Sequence, residues 1–492
     1  MALIDIGSKK QLFVDGHLIE SMTNTRQVMN PAEKVESNPV LGPERPWEGN
    51  AVRLTHVVFD DSDQLFKMWY MGQQYGAEQG DGEVIVRGEY GDPPPVPCLA
   101  TSEDGVSWER PNLGLVEFRG SRDNNILPPT HMLPGEGAGV TTYMFKDTHD
   151  EDPSRRYKGF VRTSEKPGMK FDLYYSPDAF QWTPYEGNPV IDYAGRPGRW
   201  GPTTFMGWDP VRQVYAVHME NCLHRHSPLG KRLIGRAESP DLINWTEAET
   251  ILLPDEQDTP DTEFYAMPTI HYEGMYVGLL WIFRTTNTTH HPEVVFSRDG
   301  IHYNRQYRQP FIPRGARWDF DCTSIYARTP VVHGDGILFY YMATNYRSPE
   351  TLLALGDKAT LAVGLATLPL DGFVSLDGAK GPPSKWDARD VAPYSEMVTR
   401  SFSFAGSRLH LNVTAALQQW GAERADLRVE LLEPNHDRIE GFTFDDADVI
   451  TESGQSQVVS WRGSSDLGRF AGRAVKLRFY FKNCKLYSFQ FK

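Results

Sequence analysis

The sequence contains few cysteines, and they are not clustered. Its 492 residues include four cysteines, Cys98, Cys222, Cys322 and Cys484, which lie far apart and form no CxxC pair. A disulfide framework or a zinc site is indicated by closely spaced thiols. We therefore interpret the four residues as isolated buried thiols.

The sequence also lacks an excess of positive charge and long apolar runs. Lys and Arg number 50 against 65 Asp and Glu, which gives a net charge of -15. Nucleic acids and anionic membranes attract basic surfaces, so we expect neither as a partner. No stretch approaches the roughly 20 apolar residues of a membrane span, and the N-terminus lacks the apolar core of a signal peptide. The expected location is the cytoplasm, with a secretory signal removed from the chain as the open alternative.

Several motifs of common enzymes are missing. The chain contains no HExxH, GxSxG, Walker or GxGxxG motif in a suitable context. Their absence argues against zinc proteolysis, α/β-hydrolase chemistry and nucleotide binding. No long segment has a helical period, so the expected fold class is all-β.

What the sequence does contain is an internal repeat and many aromatic residues. Four segments place Ser, Asp at +2 and an aromatic residue at +6, and a fifth copy is degenerate. The copies are Ser102/Asp104/Trp108, Ser176/Asp178/Trp182, Ser239/Asp241/Trp245, Ser297/Asp299/Tyr303 and Thr367/Pro369/Phe373. Ser is expected to end one strand, and Asp is expected to cap a tight turn through nearby backbone N–H groups. The spacing of roughly 60 to 75 residues is typical of one propeller blade.

The repeat predicts a five-bladed β-propeller followed by a β-sandwich. Strand–turn–strand patterns precede every copy, and regular alternation returns after a linker rich in Pro, Gly and charge. The predicted parts are an N-terminal extension that packs on propeller or sandwich (1–40), the propeller (41–376), the linker (377–395) and the sandwich (396–492).

In a propeller, the first strand of each blade begins near the axis, so residues at those starts converge. Five carboxylates lie at three such starts: Glu48, Asp261, Glu263, Asp319 and Asp321. Clustered acids raise one another's pKa, and a protonated acid beside an ionised carboxylate is what glycoside hydrolysis requires. We predict Glu263 as general acid and Asp319 or Glu48 as nucleophile or base. A turn cap or an ion pair is the alternative for each of the five acids.

Polar and aromatic residues near these starts are predicted to bind a sugar, because a flat ring with a polar edge covers the apolar face of a pyranose. The predicted substrate-binding residues are Arg45, Trp47, Asn50, His56, Asp261, Tyr265, His271, Arg284, Arg317, Trp318 and Asp321. For most aromatic residues and for a lone His, a place in the core is the commoner role.

The blade pattern over residues 40–376 resembles the five-bladed propeller glycosidases of glycoside hydrolase families 32, 43 and 68. The resemblance rests on PWEGN, DTEFYAM, SRDGIHY and RWDFDCTSIY, and the trailing sandwich is similar to the family 32 arrangement. It implies three axial acids that act as nucleophile or base, transition-state stabiliser and general acid. The chain departs from the family signatures, since it has no NDPNG, no RDP and no Glu-Cys pair.

Two further interpretations of the function stay open at this point. A glycoside phosphorylase on the same fold would use Arg284, His290 and His291 to hold phosphate. A carbohydrate-binding propeller without catalysis is a second alternative. No cofactor is expected to be required, although the axial carboxylates could hold a structural Ca²⁺, and a homo-oligomer is an open alternative.

Overall fold

The computed structural model describes residues 3–79, 84–87, 95–128, 142–163, 170–192, 199–223, 230–378, 394–415 and 425–492. The predicted linker 377–395 lies almost entirely outside these ranges. Within them the chain is nearly all β, with a single α-helix at Pro349–Leu355. Short 3₁₀ turns lie at Pro153–Arg155, Gly356–Lys358 and Gly468–Phe470. The predicted all-β fold class is confirmed.

The described residues separate into two compact units. One consists of Met1–Pro31, Tyr272–Gly274 and Leu368–Lys492, and the other of Ala32–His271 and Met275–Thr367. No described helix is long and apolar enough to cross a membrane. Of the cysteines whose side chains are described, Cys98, Cys322 and Cys484 are free thiols.

The larger unit contains five successive antiparallel strand groups, numbered here in chain order. Group 1 is Ala51–Asp60, Leu65–Gln73 and Val96–Ser102. Group 2 is Thr142–Lys146, Tyr157–Arg162, Lys170–Ser176, Thr183–Pro184 and Ile191–Asp192. Group 3 is Arg199–Asp209, Val214–Leu223, Lys231–Ser239 and Glu249–Leu252. Group 4 is Thr262–Phe264, Thr269–Tyr272, Met275–Arg284, Thr289–Ser297 and Tyr303–Asn304. Group 5 is Ser324–Ala327, Val331–His333, Gly336–Thr344 and Leu361–Pro369. A separate hairpin joins Gly76–Gln79 to Val84–Arg87.

In two places, a later strand of one group pairs with the first strand of another group. His290 of group 4 pairs in parallel with Ser324 of group 5, and Leu361 of group 5 pairs in parallel with Ala51 of group 1. The N-terminal strand Glu33–Lys34 adds to the last strand of group 5 through Lys34–Ala366 pairing. The last group is therefore joined both to the first group and to the segment that precedes it. This connectivity is what a propeller requires, and the number of blades stays a prediction.

The repeat forms the turns that the sequence predicts. One strand in each of groups 1 to 4 ends at the Ser of the motif: the third strand of groups 1 to 3 and the fourth strand of group 4. In group 1, the Ser102 hydroxyl donates to Asp104 Oδ1 at 2.9 Å, and the backbone N–H groups of Val106 and Ser107 donate to the same oxygen at 2.8 and 2.7 Å. Asp178, Asp241 and Asp299 accept the same set of bonds. The structural interpretation of these four carboxylates is confirmed.

The smaller unit has two main sheets around one core. One sheet contains Gln11–Leu12, Arg26–Met29, Val374–Asp377, Leu409–Ala415, Gly454–Val458 and Cys484–Phe491. The other contains Ile19–Thr23, Ser395–Thr399, Asp426–Leu432 and Lys476–Lys482. A parallel pair joins Ile4–Gly7 to Phe402–Phe404. Leu411 and Phe489 from the first sheet share a core with Leu427 and Phe479 from the second. Two sheets that bury one core fit the predicted sandwich, which stays a prediction as a fold assignment.

Candidate active site

Glu48 is fully buried and bonded on both carboxylate oxygens. Oε2 accepts from the backbone N–H groups of Glu44 and Arg45 at 2.8 and 2.9 Å. Oε1 accepts from the Tyr70 hydroxyl at 2.6 Å and from Arg110 Nε at 2.7 Å. Burial raises the pKa of Glu48, but Arg110 and the other donors outweigh burial and hold it below its ordinary value. Glu48 therefore holds in place the segment that precedes the first strand of group 1. Protein donors occupy both of its carboxylate oxygens, so neither oxygen is available to a substrate.

Asp261 and Arg284 belong to a turn cluster. The hydroxyls of Thr259 and Thr286 each donate to Asp261 at 2.5 Å and hold its pKa at about 2. Arg284 Nη1 lies 3.5 Å from Asp261 Oδ1 and also donates to Thr259 and Thr262. Arg284 is therefore occupied by this turn.

The loop before group 5 carries four predicted site residues with different environments. Asp319 is exposed, and its Oδ2 accepts from the Ala316 N–H at 2.7 Å, so it caps a turn. Asp321 is buried, with Lys34 Nζ at 2.5 Å and the Tyr341 hydroxyl at 3.0 Å. Trp318 is 69% exposed, and the guanidinium of Arg317 lies 4.6 Å above its ring. The described contacts do not join Asp319 to Glu263.

Glu263 is paired with a second carboxylate through one arginine. Arg232 Nη1 donates to Glu263 Oε2 at 2.5 Å, and Arg232 Nε donates to Glu220 Oε1 at 3.0 Å. Because both oxygens contact nitrogens of one guanidinium, they lie at most about 8 Å apart. The three side chains keep 14%, 27% and 12% of their surfaces exposed for Glu263, Arg232 and Glu220. We call this set the carboxylate pair, Glu220 and Glu263 with Arg232.

Strand register explains how the carboxylate pair forms. In group 3, Arg232 lies opposite Cys222, so Glu220 is its diagonal neighbour on the same sheet face. In group 4, Glu263 lies between Thr262 and Phe264, which are both fully buried. Alternation along that strand turns Glu263 to the opposite side, where it meets Arg232 of group 3.

Aromatic rings surround the carboxylate pair. The Arg232 guanidinium lies 5.3 Å from the ring centroid of Tyr265 and 5.5 Å from that of Phe283. His290 stacks on Phe283 at 4.5 Å, and its Nδ1 lies 3.2 Å from the Tyr326 hydroxyl. Burial lowers the pKa of His290 to about 3, so the ring is neutral at pH 7. The site is therefore a polar centre inside an aromatic frame, and Tyr265 belongs to it as the sequence predicts.

Two cavities lie next to this frame. The first, the central cavity, has a volume of about 80 Å³ and is lined from all five groups. Its lining includes His56, Tyr143, Thr204, Trp281 and Arg328. Convergence of all five groups on one cavity is the geometry that the sequence predicts for the axis.

The second cavity, the side cavity, has a volume of about 290 Å³. Its lining includes Tyr75, Ser324, Tyr326 and Tyr346. Asn50 holds Tyr75 in place, because its side chain donates to the Tyr75 carbonyl at 2.8 Å and accepts from the Tyr75 N–H at 2.7 Å. Aromatic walls with a few polar groups are typical of small-molecule sites.

The remaining predicted residues lie elsewhere. Trp47 donates to Asn125 Oδ1 at 3.0 Å and packs in the core of group 1, which is a structural position. Arg45 and His271 are exposed, and His271 meets the Tyr276 ring edge-on at 5.2 Å. His291 Nε2 lies 4.0 Å from Glu293 Oε1. Arg284, His290 and His291 each have other partners in the described structure, and a shared phosphate pocket stays a prediction.

Sequence reasoning missed Glu220, Arg232 and Arg328. The prediction considered the starts of first strands, whereas Glu220 and Arg232 lie on the second and third strands of group 3. The available signal was a carboxylate inside the apolar strand VYAVHMENCL. Among the described residues, no group of three or more His, Cys, Asp and Glu side chains could hold a metal ion. A structural Ca²⁺ stays a prediction.

Comparisons with known proteins give distant structural similarity only. No protein-family model and no curated protein matches the chain. A structure described under the GH130 family of mannoside phosphorylases and hydrolases has 15% identity and a TM-score of 0.45, covering 70% of this chain and 94% of its own. A glycosyl hydrolase from Bacteroides ovatus has 15% identity and a TM-score of 0.44, with 70% and 94% covered. The β-1,2-mannobiose phosphorylase of Listeria innocua has 13% identity and a TM-score of 0.43, with 70% and 96% covered. The particular resemblance to families 32, 43 and 68 is not confirmed by these structures.

Proposed function

We propose that this chain is a glycoside-active enzyme that hydrolyses a glycosidic bond at the carboxylate pair. The observation that carries the proposal is that Glu220 and Glu263 contact one guanidinium from two strand groups. Glycosidases place two carboxyl groups about 5 to 5.5 Å apart for retention or about 6.5 to 9.5 Å apart for inversion. The upper limit of about 8 Å set by a shared guanidinium is compatible with either separation.

The two carboxyl groups take different roles. Arg232 lies closer to Glu263 than to Glu220, at 2.5 and 3.0 Å. We assign Glu263, which has the shorter contact, as nucleophile or base and Glu220 as general acid. The assignment reverses the role of Glu263 predicted from the sequence and replaces Asp319 and Glu48. Glu220 would protonate the leaving-group oxygen while Glu263 attacks the anomeric carbon or activates water.

The environment supports a sugar as substrate. Tyr326 lines the side cavity and bonds to His290, whose ring lies 5.3 Å from Tyr265 beside the carboxylate pair. Tyrosine rings offer an apolar face and a hydroxyl to the same ligand, which suits a pyranose. The side cavity is therefore proposed to hold one sugar ring of the substrate, beside the carboxylate pair that cleaves its glycosidic bond.

The test is a screen of aryl-glycosides and oligosaccharides with the wild-type chain, with and without phosphate, followed by the variants Glu220→Gln and Glu263→Gln. Each amide variant should lower kcat by about 10²- to 10⁴-fold, because acid–base catalysis contributes that much. Glu249→Gln, an exposed carboxylate on the outer strand of group 3, is the matched control. Full activity in both Glu220→Gln and Glu263→Gln with retained folding would refute the assignment.

A further inference from the structure

The central cavity is larger than a single water molecule requires. Its volume is about 80 Å³, whereas one enclosed water needs only about 10 to 15 Å³ by the same kind of measure. The lining residues come from the inner parts of five strand groups, with Thr55, Tyr143, Thr204, Pro268 and Thr329 as one representative of each. The cavity therefore has room for a ligand larger than one water molecule.

The central cavity carries a positive charge without a counter-charge. Arg328 is its charged lining residue, and its Nη2 donates to the Leu54 carbonyl at 2.8 Å. Among the described residues, no carboxylate lies within ion-pair distance of Arg328. Burial, together with a smaller effect of the nearby Arg53, lowers the pKa of Arg328 to about 10. A cation that is partly removed from water is costly unless an anion accompanies it.

Three polar atoms of the lining residues have no hydrogen-bond partner: His56 Nε2, Thr204 Oγ1 and Arg328 Nε. Two of these residues follow irregularities in their strands. The register shifts between Leu54 and His56 in group 1, and between Pro202 and Thr204 in group 3. Such bulges re-aim side chains and are frequent beside functional sites. Unpartnered polar atoms on three separate groups can therefore bind one polar ligand together.

We propose that the central cavity binds a compact oxyanion, held by Arg328 with hydrogen bonds from Thr204 and His56. A cation is disfavoured by the charge of Arg328, and the guanidinium and hydroxyl groups supply donors. The oxyanion is either free in solution, as inorganic phosphate or sulfate, or the carboxylate of an acidic sugar. The site does not depend on the proposed glycosidic chemistry, because the charge and the cavity exist without it.

The experiment is a thermal-unfolding and calorimetric titration of the full chain at constant ionic strength. The probes are inorganic phosphate, sulfate and glucuronate, with chloride and glucose as controls for charge and for the neutral sugar. Wild type is compared with Arg328→Met, Arg53→Gln and the control Arg212→Gln, whose side chain pairs with Glu238 on an exposed edge. Since the chain is acidic overall, with a net charge of -15, non-specific attraction of anions is small.

A saturable rise in Tm of about 2 °C or more with phosphate and sulfate identifies a free oxyanion as the ligand. The same rise with glucuronate alone identifies the acid group of a sugar. In either case, the rise in Tm should be lost in Arg328→Met, be smaller in Arg53→Gln than in the wild type, and persist in Arg212→Gln. The proposal is overturned if no probe shifts the wild type, or if a folded Arg328→Met responds as the wild type does. If Arg328→Met does not fold, the wild-type and Arg53→Gln titrations decide the question by themselves.

Discussion

Glu220 and Glu263 bind the same guanidinium group although they lie on strands of different groups. The Arg232 guanidinium that joins them fixes the position of one carboxyl group relative to the other. Replacement of Arg232 by Met removes both contacts and leaves the two side chains free to move apart. We therefore expect kcat to fall by about 10- to 100-fold, because a small misplacement of reacting groups slows the chemical step.

The measurement is kcat and KM of Arg232→Met against wild type and Arg212→Met. Arg212 forms an ion pair with Glu238 at 2.6 Å and is 37% exposed in its side chain, so it controls for the loss of one arginine from group 3. An unchanged kcat in Arg232→Met would separate Arg232 from the reaction.

Glu48 is expected to stabilise the fold and to contribute nothing to turnover. Its carboxylate is fully buried, and Arg110 keeps only 8% of its side chain exposed. Removing one partner of a buried ion pair costs about 3 to 5 kcal/mol. Glu48→Ala should therefore lower the free energy of unfolding by about that amount, measured by urea denaturation, with kcat unchanged in the folded fraction.

Glu44→Ala is the matched control for Glu48→Ala. Glu44 contacts the same Arg110 at 3.1 Å, but 67% of its side chain is exposed. Exposed pairs contribute less than about 1 kcal/mol. Equal losses in Glu44→Ala and Glu48→Ala would contradict the importance of the buried contacts.

The turn carboxylate Asp104 should make stability sensitive to acid. Burial raises its pKa, but hydrogen bonds from the backbone N–H groups of Ser107 and Val106 and from the Ser102 and Ser107 hydroxyls together outweigh burial and lower it to about 2. A lowered pKa stabilises the fold above the ordinary value near pH 4, and this stabilisation is lost as pH falls toward 2. The stability difference between wild type and Asp104→Asn should therefore shrink between pH 5 and pH 2. A difference that stays constant across this range would show that Asp104 contributes no acid sensitivity.

The side cavity and the exposed Trp318 make competing predictions about where the sugar lies. Tyr346 lines the side cavity, whereas Trp318 stands on the loop before group 5 with 69% of its surface exposed. If the sugar occupies the side cavity, Tyr346→Ala should raise KM by about 3- to 10-fold, since one aromatic contact contributes about 0.5 to 1.5 kcal/mol. Trp318→Ala should change KM by less than about twofold. The reverse order would place the sugar on the loop.

The sequence predicts the turns well because they are local. The Ser, Asp and backbone N–H groups that form each turn lie within a few residues, so one short motif contains all the partners. The strand ends at Ser102, Ser176, Ser239 and Ser297 follow from the same motif. All-β architecture follows from these turns and from the lack of a helical period.

The candidate site is harder to predict because its partners meet only after the groups assemble. Glu263 was predicted from its place at a strand start, and its contact with Arg232 depends on the register of group 3. Glu48 also lies at a strand start, yet its carboxylate accepts hydrogen bonds from Arg110 and Tyr70. Strand starts therefore indicate where a carboxylate lies along the chain, but the neighbouring group decides whether it is an ion-pair partner, a turn cap or a candidate catalyst.

The short strand Glu33–Lys34 has a consequence for how the chain is made. Its partner Ala366–Thr367 leaves the ribosome roughly 330 residues later, so this contact is among the longest in sequence separation. During synthesis, Glu33–Lys34 therefore stays unpaired while the residues of groups 1 to 4 are added to the chain. Unpaired edges invite association with other chains, so newly made protein should depend on chaperones until the final strand arrives.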